Sequence, residues 1–282
     1  MFHLRPDGHT DHMLEERAEP KQLHDSVVQR WGWDIVSGAL PPGSRIVAEE
    51  AAEQLGVSRT VVREAVRVLE SMGLITVRRR VGITVLSPDH WNPFDPNIIR
   101  WRLASRDRLD HLQYLSELRS AIEPLAARLA ATRATPGHCG ALTAAVIGMS
   151  ATAKAADHAE YLGHDIDFHR TLLLASANPM LAGLSEVVAE VLAGRTRHSL
   201  MPHVADPEAV RLHGVVASSI QAGDPEGAEE AMRSIVAETA TAIREIHDEG
   251  GDADHPAGPA PLPSLLARPA VDHGDRALVR HS

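Results

Sequence analysis

The run Val57-Ser58-Arg59-Thr60-Val61-Val62-Arg63-Glu64-Ala65-Val66-Arg67-Val68-Leu69-Glu70 decides the reading of this chain, because helical periodicity sorts its apolar and basic residues onto opposite faces. Val62, Ala65, Val66 and Leu69 recur at the i, i+3, i+4, i+7 spacing of a core-facing stripe. Arg59, Arg63 and Arg67, each four apart, form a basic ridge on the solvent side with Thr60 beside it, and Ser58 is placed to cap the helix N-terminus. A DNA-reading helix is built this way, but an ordinary amphipathic surface helix shares the pattern, so the flanking sequence has to separate the two readings.

Upstream, Leu23, Val27, Trp31 and Ile35 mark a first helix, ended by Ser37-Gly38-Ala39-Leu40-Pro41-Pro42-Gly43. Glu49 to Leu55 make a short second helix closed by Gly56. Downstream, Gly73-Leu74-Ile75-Thr76-Val77 reads as a strand, Arg78-Arg79-Arg80-Val81-Gly82 as a basic turn, and Ile83-Thr84-Val85-Leu86 as the returning strand of a hairpin. The order helix, helix, turn, helix, hairpin predicts a winged helix-turn-helix, the hairpin being a wing with three consecutive arginines.

With these elements in place, the segment SGALPPGSRIVAEEAAEQLGVSRTVVREAVRVLESMGLITVRRRVGITV resembles the DNA-binding domain of the GntR family of bacterial transcription regulators, over about Lys21 to Leu86. The resemblance implies that Arg59, Thr60 and Arg63 contact the major groove and that Gly82 sits at the wing tip near the minor groove. Arg45, Ser58, Arg67, Arg79 and Arg80 complete the candidate DNA-contact set, the partner being a palindromic double-stranded operator read by a homodimer. Two departures keep the operator sequence from being carried over: Glu49 and Glu50 stand where some members have an arginine, and Gly82-Ile83 replaces the usual Gly-Thr.

Length and composition fit this frame. The chain has 282 residues, 44 % apolar but only 3 % aromatic, so its core must be aliphatic. The net charge of −10 argues at first against nucleic acid. Between Lys21 and Leu86, however, nine basic side chains face seven acidic ones, so the acidity lies elsewhere and DNA affinity would come from a local ridge. Cys139 is alone, which excludes an intrachain disulfide framework and suits a reducing cytoplasm. No apolar run approaches the ~20 residues of a membrane helix, and the N-terminus lacks the apolar stretch of a signal peptide, so a cytoplasmic protein with no membrane partner is expected.

The expected organisation is a disordered arm over 1–19, in which Met13 offers a second start, the winged helix-turn-helix over 20–88 and a linker over 89–107. A helical effector-binding and dimerisation domain over 108–248 and a disordered tail over 249–282 follow. The linker is read from the prolines in Asn92-Pro93-Phe94-Asp95-Pro96-Asn97. After it the chain reads as an antiparallel all-α bundle of about six helices, giving a mainly α fold. Asn178-Pro179, Asp206-Pro207-Glu208 and Asp224-Pro225-Glu226 each write a side-chain cap followed by proline at the first helical position. Asp157-His158-Ala159-Glu160 writes a capping box, and the helices from about Arg108 to Arg133 and Pro136 to Ala155 complete the set, with Pro124 expected to kink the first.

Polar residues on the inward faces of these helices point to a ligand, because an aliphatic bundle has no structural use for buried charge. Arg119 lies in line with Leu115, Ile122 and Ala126; Asp165 and His169 lie in line with Leu162 and Leu172; His213 lies in line with Val216, Ala217 and Ile220. Aspartate and histidine at i, i+4 can reach one cation and suit zinc, nickel, manganese or iron, but satisfied core or surface histidines would produce the same spacing. Arg119 needs an anionic partner, either a ligand carboxylate or an internal salt bridge to Glu123 or Asp165.

The stretches ELRSAIEPLAARLAA, DIDFHRTLLLASANPML and HGVVASSIQAGDPEGAEEAM resemble the effector-binding domain of the FadR subfamily, over about Arg108 to His247. The resemblance implies a divalent metal on Asp165, His169 and His213, with Arg119 pairing an effector carboxylate. It places the fourth ligand at the position occupied here by Ile235. Arg195, followed by Ser199 before a proline, is similar to members that sense sugar acids such as gluconate or galactonate. The leading expectation is therefore a homodimeric transcription regulator, a repressor responding to a small carboxylic acid and not an enzyme. The alternative is a metal-dependent hydrolase or lyase built on Asp165, His169 and His213; a DNA-architectural protein would leave Arg119 and the inward Asp/His set without a purpose.

Overall fold

The computed structural model describes residues 20–155, 157–197 and 207–248. The chain begins with α1 (Pro20–Val36), β1 (Arg45–Ile46), α2 (Ala48–Leu55), α3 (Arg59–Ser71), β2 (Ile75–Arg78) and β3 (Gly82–Val85). In α3 the Ser58 hydroxyl accepts the Val61 N–H at 3.3 Å, and the stripe of Val62, Ala65, Val66 and Leu69 is buried. It packs against Val27, Trp31 and Ile35 of α1 in one core, so truncating Leu69 to alanine would cost about 2–5 kcal/mol. Past Met72 the chain turns at Gly73, with φ +78° and a Cβ position 2.1 Å from the His90 carbonyl oxygen. Only glycine satisfies both constraints.

The wing is larger than the expected hairpin. Its antiparallel sheet has the order β1-β3-β2, with Arg45 opposite Thr84 and Ile46 opposite Ile83. A two-residue strand offers no alternation to read, which is why it escapes the sequence pattern.

The span expected to be a linker contains α4 (Pro96–Leu103). Asp95 Oδ1 accepts the N–H groups of Asn97 (2.8 Å) and Ile98 (3.4 Å), so Pro96 opens a helix in the same cap-and-proline grammar used further on. Ile98 and Trp101 join the core of α1 and α3, whereas Ile99 and Leu103 join Leu112, Leu115, Val187, Val191 and Ile243. The Trp101 ring occupies the place where a Cβ on Gly32 would stand, and its Nε1 donates to Gln29 Oε1 at 3.0 Å. One short helix is thus shared by two cores.

The bundle comprises α5 (Arg108–Arg133), α6 (Pro136–Ala155), α7 (His158–Ala175), α8 (Pro179–Ala182), α9 (Ser185–Arg197), α10 (Pro207–Ala222) and α11 (Pro225–Asp248). Pro124 lies within α5 without ending it. The caps Asp157, Asn178 and Asp224 each accept a backbone N–H. Asn178-Pro179 opens only the short α8, and a second helix, α9, starts at Ser185, so this segment holds two helices where one was expected. Asp206, the arm over 1–19 and the tail over 249–282 lie outside the described residues. Leu142, Met149, Phe168, Leu172 and Met232 fill the core with mostly aliphatic bulk, and Glu123, Arg119, Asp165, His169 and His213 are buried within the bundle. None of the described helices is long and apolar enough to cross a membrane.

Candidate functional site

Along α3 the arginine ridge stands free of the core: Arg59, Thr60, Arg63 and Arg67 are all exposed. They are not equivalent. Arg67 Nη1 is held by Glu64 Oε1 at 2.7 Å, whereas Arg59 and Arg63 have no acidic partner among the described residues. Ser58 spends its hydroxyl on the cap, which positions the ridge. Arg45, Arg79 and Arg80 are exposed on the sheet and its turn. Gly82, expected at the wing tip, pairs with Arg78 as the first residue of β3, and the turn consists of residues 79–81, with Arg80 in the left-handed region at φ +69°. Each strand thus runs one residue further toward the tip than the expected turn over 78–82 allows.

A second constellation lies inside the bundle, assembled from four helices, α5, α7, α9 and α10. Asp165 and His169 on α7 meet His213 on α10: Asp165 Oδ1 is 3.4 Å from His169 Nε2 and 3.3 Å from His213 Nε2, and the two Nε2 atoms are 3.4 Å apart. Phe168 packs edge-on to both imidazoles and closes one side. From α5, Arg119 donates through Nε to Glu123 Oε1 (2.8 Å) and through Nη2 to Glu123 Oε2 (3.2 Å), with Nη2 also 3.4 Å from His169 Nε2. Its Nη1 is buried without a hydrogen-bond partner among the described residues. Arg195 on α9 is buried and feels Arg119, Asp165 and Glu123, so it shares the site.

The geometry fits a metal. With metal–ligand distances of about 2.1 Å, tetrahedral donors stand roughly 3.4 Å apart, and the three oxygen and nitrogen atoms form such a triangle. His213 Nδ1 donates to the Ala209 carbonyl at 2.6 Å, which aims its Nε2 into the triangle, where a proton or a metal would bridge it to Asp165. His169 Nδ1 lies 3.1 Å from Glu123 Oε2, within ion-pair distance of a carboxylate but without hydrogen-bond alignment. Ile235 is buried in the same core and offers no donor, and among the described residues the group has three protein ligands, Asp165, His169 and His213.

The electrostatics are those of a closed charge cluster. Burial pushes Glu123 up, but Arg119 and His169 override it and hold the carboxyl at about 2. Burial likewise opposes ionisation of Asp165, which His169 and His213 nevertheless hold well below the usual carboxylate range. For Arg195, burial and then the neighbouring Arg119 bring the guanidinium down to about 10. The two cations, Arg119 and Arg195, balance the two carboxylates, Glu123 and Asp165. Ser199 lies outside the described residues. Glu123 appears in the sequence only as one of two possible partners for Arg119; its four-residue spacing is visible there, its contact with His169 is not.

A class of protein follows from these two features, a winged helix-turn-helix joined to a helical domain with a buried polar site: a DNA-binding transcription regulator. Residues 23–85 match the family described as bacterial regulatory proteins, gntR family, and residues 114–238 match the FCD domain. The chain is 30 % identical to the galactonate operon transcriptional repressor of Escherichia coli strain K12, covering 79 % of this chain and 97 % of the relative. It is 29 % identical to a protein of Paenarthrobacter nicotinovorans named "Probable D-xylose utilization operon transcriptional repressor", covering 86 % and 95 %. Among solved structures, Streptococcus agalactiae GntR aligns with a TM-score of 0.43 at 24 % identity, covering 79 % of this chain and all of that one. The chain belongs to the GntR family of transcription regulators and carries the FadR-type arrangement of a winged helix-turn-helix and an FCD domain.

Proposed function

We propose that this regulator is a homodimeric repressor that binds a palindromic operator in the cytoplasm and responds to a small carboxylic acid, a sugar acid of the galactonate or gluconate kind. The observation that carries the reading is Arg119 Nη1, a cationic donor buried at 2 % side-chain exposure with its two sister nitrogens committed and itself unpartnered. A buried donor left unmade costs about 1–3 kcal/mol, more when charged, and a ligand carboxylate entering the site recovers that cost. Arg195 adds a second cation. The galactonate repressor among the relatives supports a sugar acid as ligand.

Asp165, His169 and His213 would hold a divalent metal, which would supply a second positive anchor for the acid. The chain's own residues do the rest: Glu123 orients Arg119 and His169, Phe168 excludes water from one side, and Ile235 leaves a coordination position to the ligand or water. The hydrolase or lyase alternative loses ground because the family and its named relatives are transcription regulators. On the DNA side, Arg59 and Arg63 read base edges while Arg45, Arg79 and Arg80 meet phosphates. Selecting duplexes from a random-sequence library with the purified protein, then titrating galactonate and gluconate into the complex, tests the reading. A palindrome released by one of these acids is expected; binding that no acid alters would contradict it.

A further inference from the structure

Glu70 sits exposed in the last turn of α3, eight residues before the run Arg78, Arg79 and Arg80. A carboxylate there opposes binding to a polyanion unless it has another task, and the geometry supplies one. Its Oε1 accepts a hydrogen bond from the backbone N–H of Val77 at 2.9 Å. β2 is an edge strand in the order β1-β3-β2. Val85 turns its backbone toward the β1 side, donating to Ser44 and accepting from Gly43, and hydrogen-bonded pairs alternate along an antiparallel ladder. The pairs Ile75–Val85 and Val77–Ile83 are therefore non-hydrogen-bonded, and the Val77 N–H points out of the sheet. No strand among the described residues takes it; Glu70 does. β1 pairs with Ile83 and Thr84 and the residues before it bond Val85, so only the arginine-bearing end, from Arg78 to Gly82, is a two-stranded ribbon, which is marginal alone.

We propose that Glu70 is a positioning residue for DNA recognition: the hydrogen bond that its side-chain oxygen accepts from Val77 fixes the arginine-bearing wing against the recognition helix, so that both reach DNA in one register. The proposal rests on the reading that the wing arginines meet DNA phosphates. It makes a prediction of opposite sign to simple electrostatics, under which removing an acid beside DNA tightens binding.

The test uses the full chain and a duplex selected from a random library, with affinity measured by fluorescence anisotropy across a salt series. Glu70→Ala should bind about tenfold more weakly, and its log–log salt slope should flatten by about one for each phosphate that the wing no longer reaches. Glu70→Gln, which keeps the acceptor and loses the charge, should bind at least as tightly as wild type. Amide exchange at Val77 should quicken in Glu70→Ala and not in Glu70→Gln. A Glu70→Ala protein that binds as tightly as wild type, or more so, overturns the proposal. Arg79→Ala/Arg80→Ala is the control. If it changes neither affinity nor slope, the wing reading itself fails and the proposal with it; if it does change them, a tight-binding Glu70→Ala condemns the proposal alone.

Discussion

Arg119 and Glu123, one helical turn apart on α5, form a two-point ion pair with side-chain exposures of 2 % and 0 %. The pair leaves one guanidinium nitrogen to offer, and it makes the site sensitive to the loss of either partner separately. Glu123→Ala should cost about 3–5 kcal/mol, because it strands a buried cation, whereas the Arg119→Ala/Glu123→Ala double variant should cost less than the sum of the singles. Urea denaturation of the four proteins closes this cycle; additivity would mean that the pair is not coupled.

On α3 the arginines should rank by their partners. Arg59→Ala and Arg63→Ala should each cost about 1–3 kcal/mol of discrimination between operator and scrambled duplex. Arg67→Ala should cost less, since Glu64 already holds that guanidinium. Equal losses for all three in anisotropy titrations would show that the Arg67–Glu64 pair opens on DNA.

Gly32→Ala places a methyl group within 2.5 Å of the Trp101 ring, a rigid neighbour that cannot rotate away as an alkyl end can. Overpacking at a site this tight should cost about 1–3 kcal/mol or more, seen as a lowered Tm. The same α4 helix reaches the other domain: Leu103 covers Gly194, next to Arg195, and Arg100 pairs with Glu190. Gly32→Ala should therefore also weaken the response of operator binding to the acid, measured as a smaller shift in operator affinity at saturating ligand.

His111 gives the stability curve an acid limb. Burial, and then the Arg102 charge, lower its pKa from 6.5 to about 4, and its Nε2 is buried without a hydrogen-bond partner among the described residues. Between these two values the unfolded chain holds a proton that the folded chain does not, so stability falls as pH falls, by up to about 3 kcal/mol, with no contribution above 6.5. His111→Leu should flatten that limb in denaturation series run at several pH values. An unchanged slope would place the acid sensitivity elsewhere.

Much of this architecture is legible because local chemistry repeats it. Ser58, Asp157, Asn178 and Asp224 announce helix starts, and the stripe from Val62 to Leu69 identifies the buried face of α3. Pro93 and Pro96 read as breaks, yet Pro96 is the first residue of α4, and eight residues are too few for periodicity to overrule that impression. The inward charges at Arg119, Asp165, His169 and His213 follow from helical spacing. The contact of Glu123 with His169 does not, because it depends on how α5 packs on α7, a tertiary relationship that no local pattern encodes.

The role of Arg119 is decided by calorimetric titration of galactonate and gluconate into wild-type and Arg119→Ala proteins, paired with operator anisotropy and elemental analysis. One acid is expected to bind the wild type and release the operator. Arg119→Ala should keep operator affinity but lose acid binding and release, and any metal present should depend on Asp165 and His169. An Arg119→Ala protein that binds the cognate acid as tightly as wild type would contradict the assignment of this pocket.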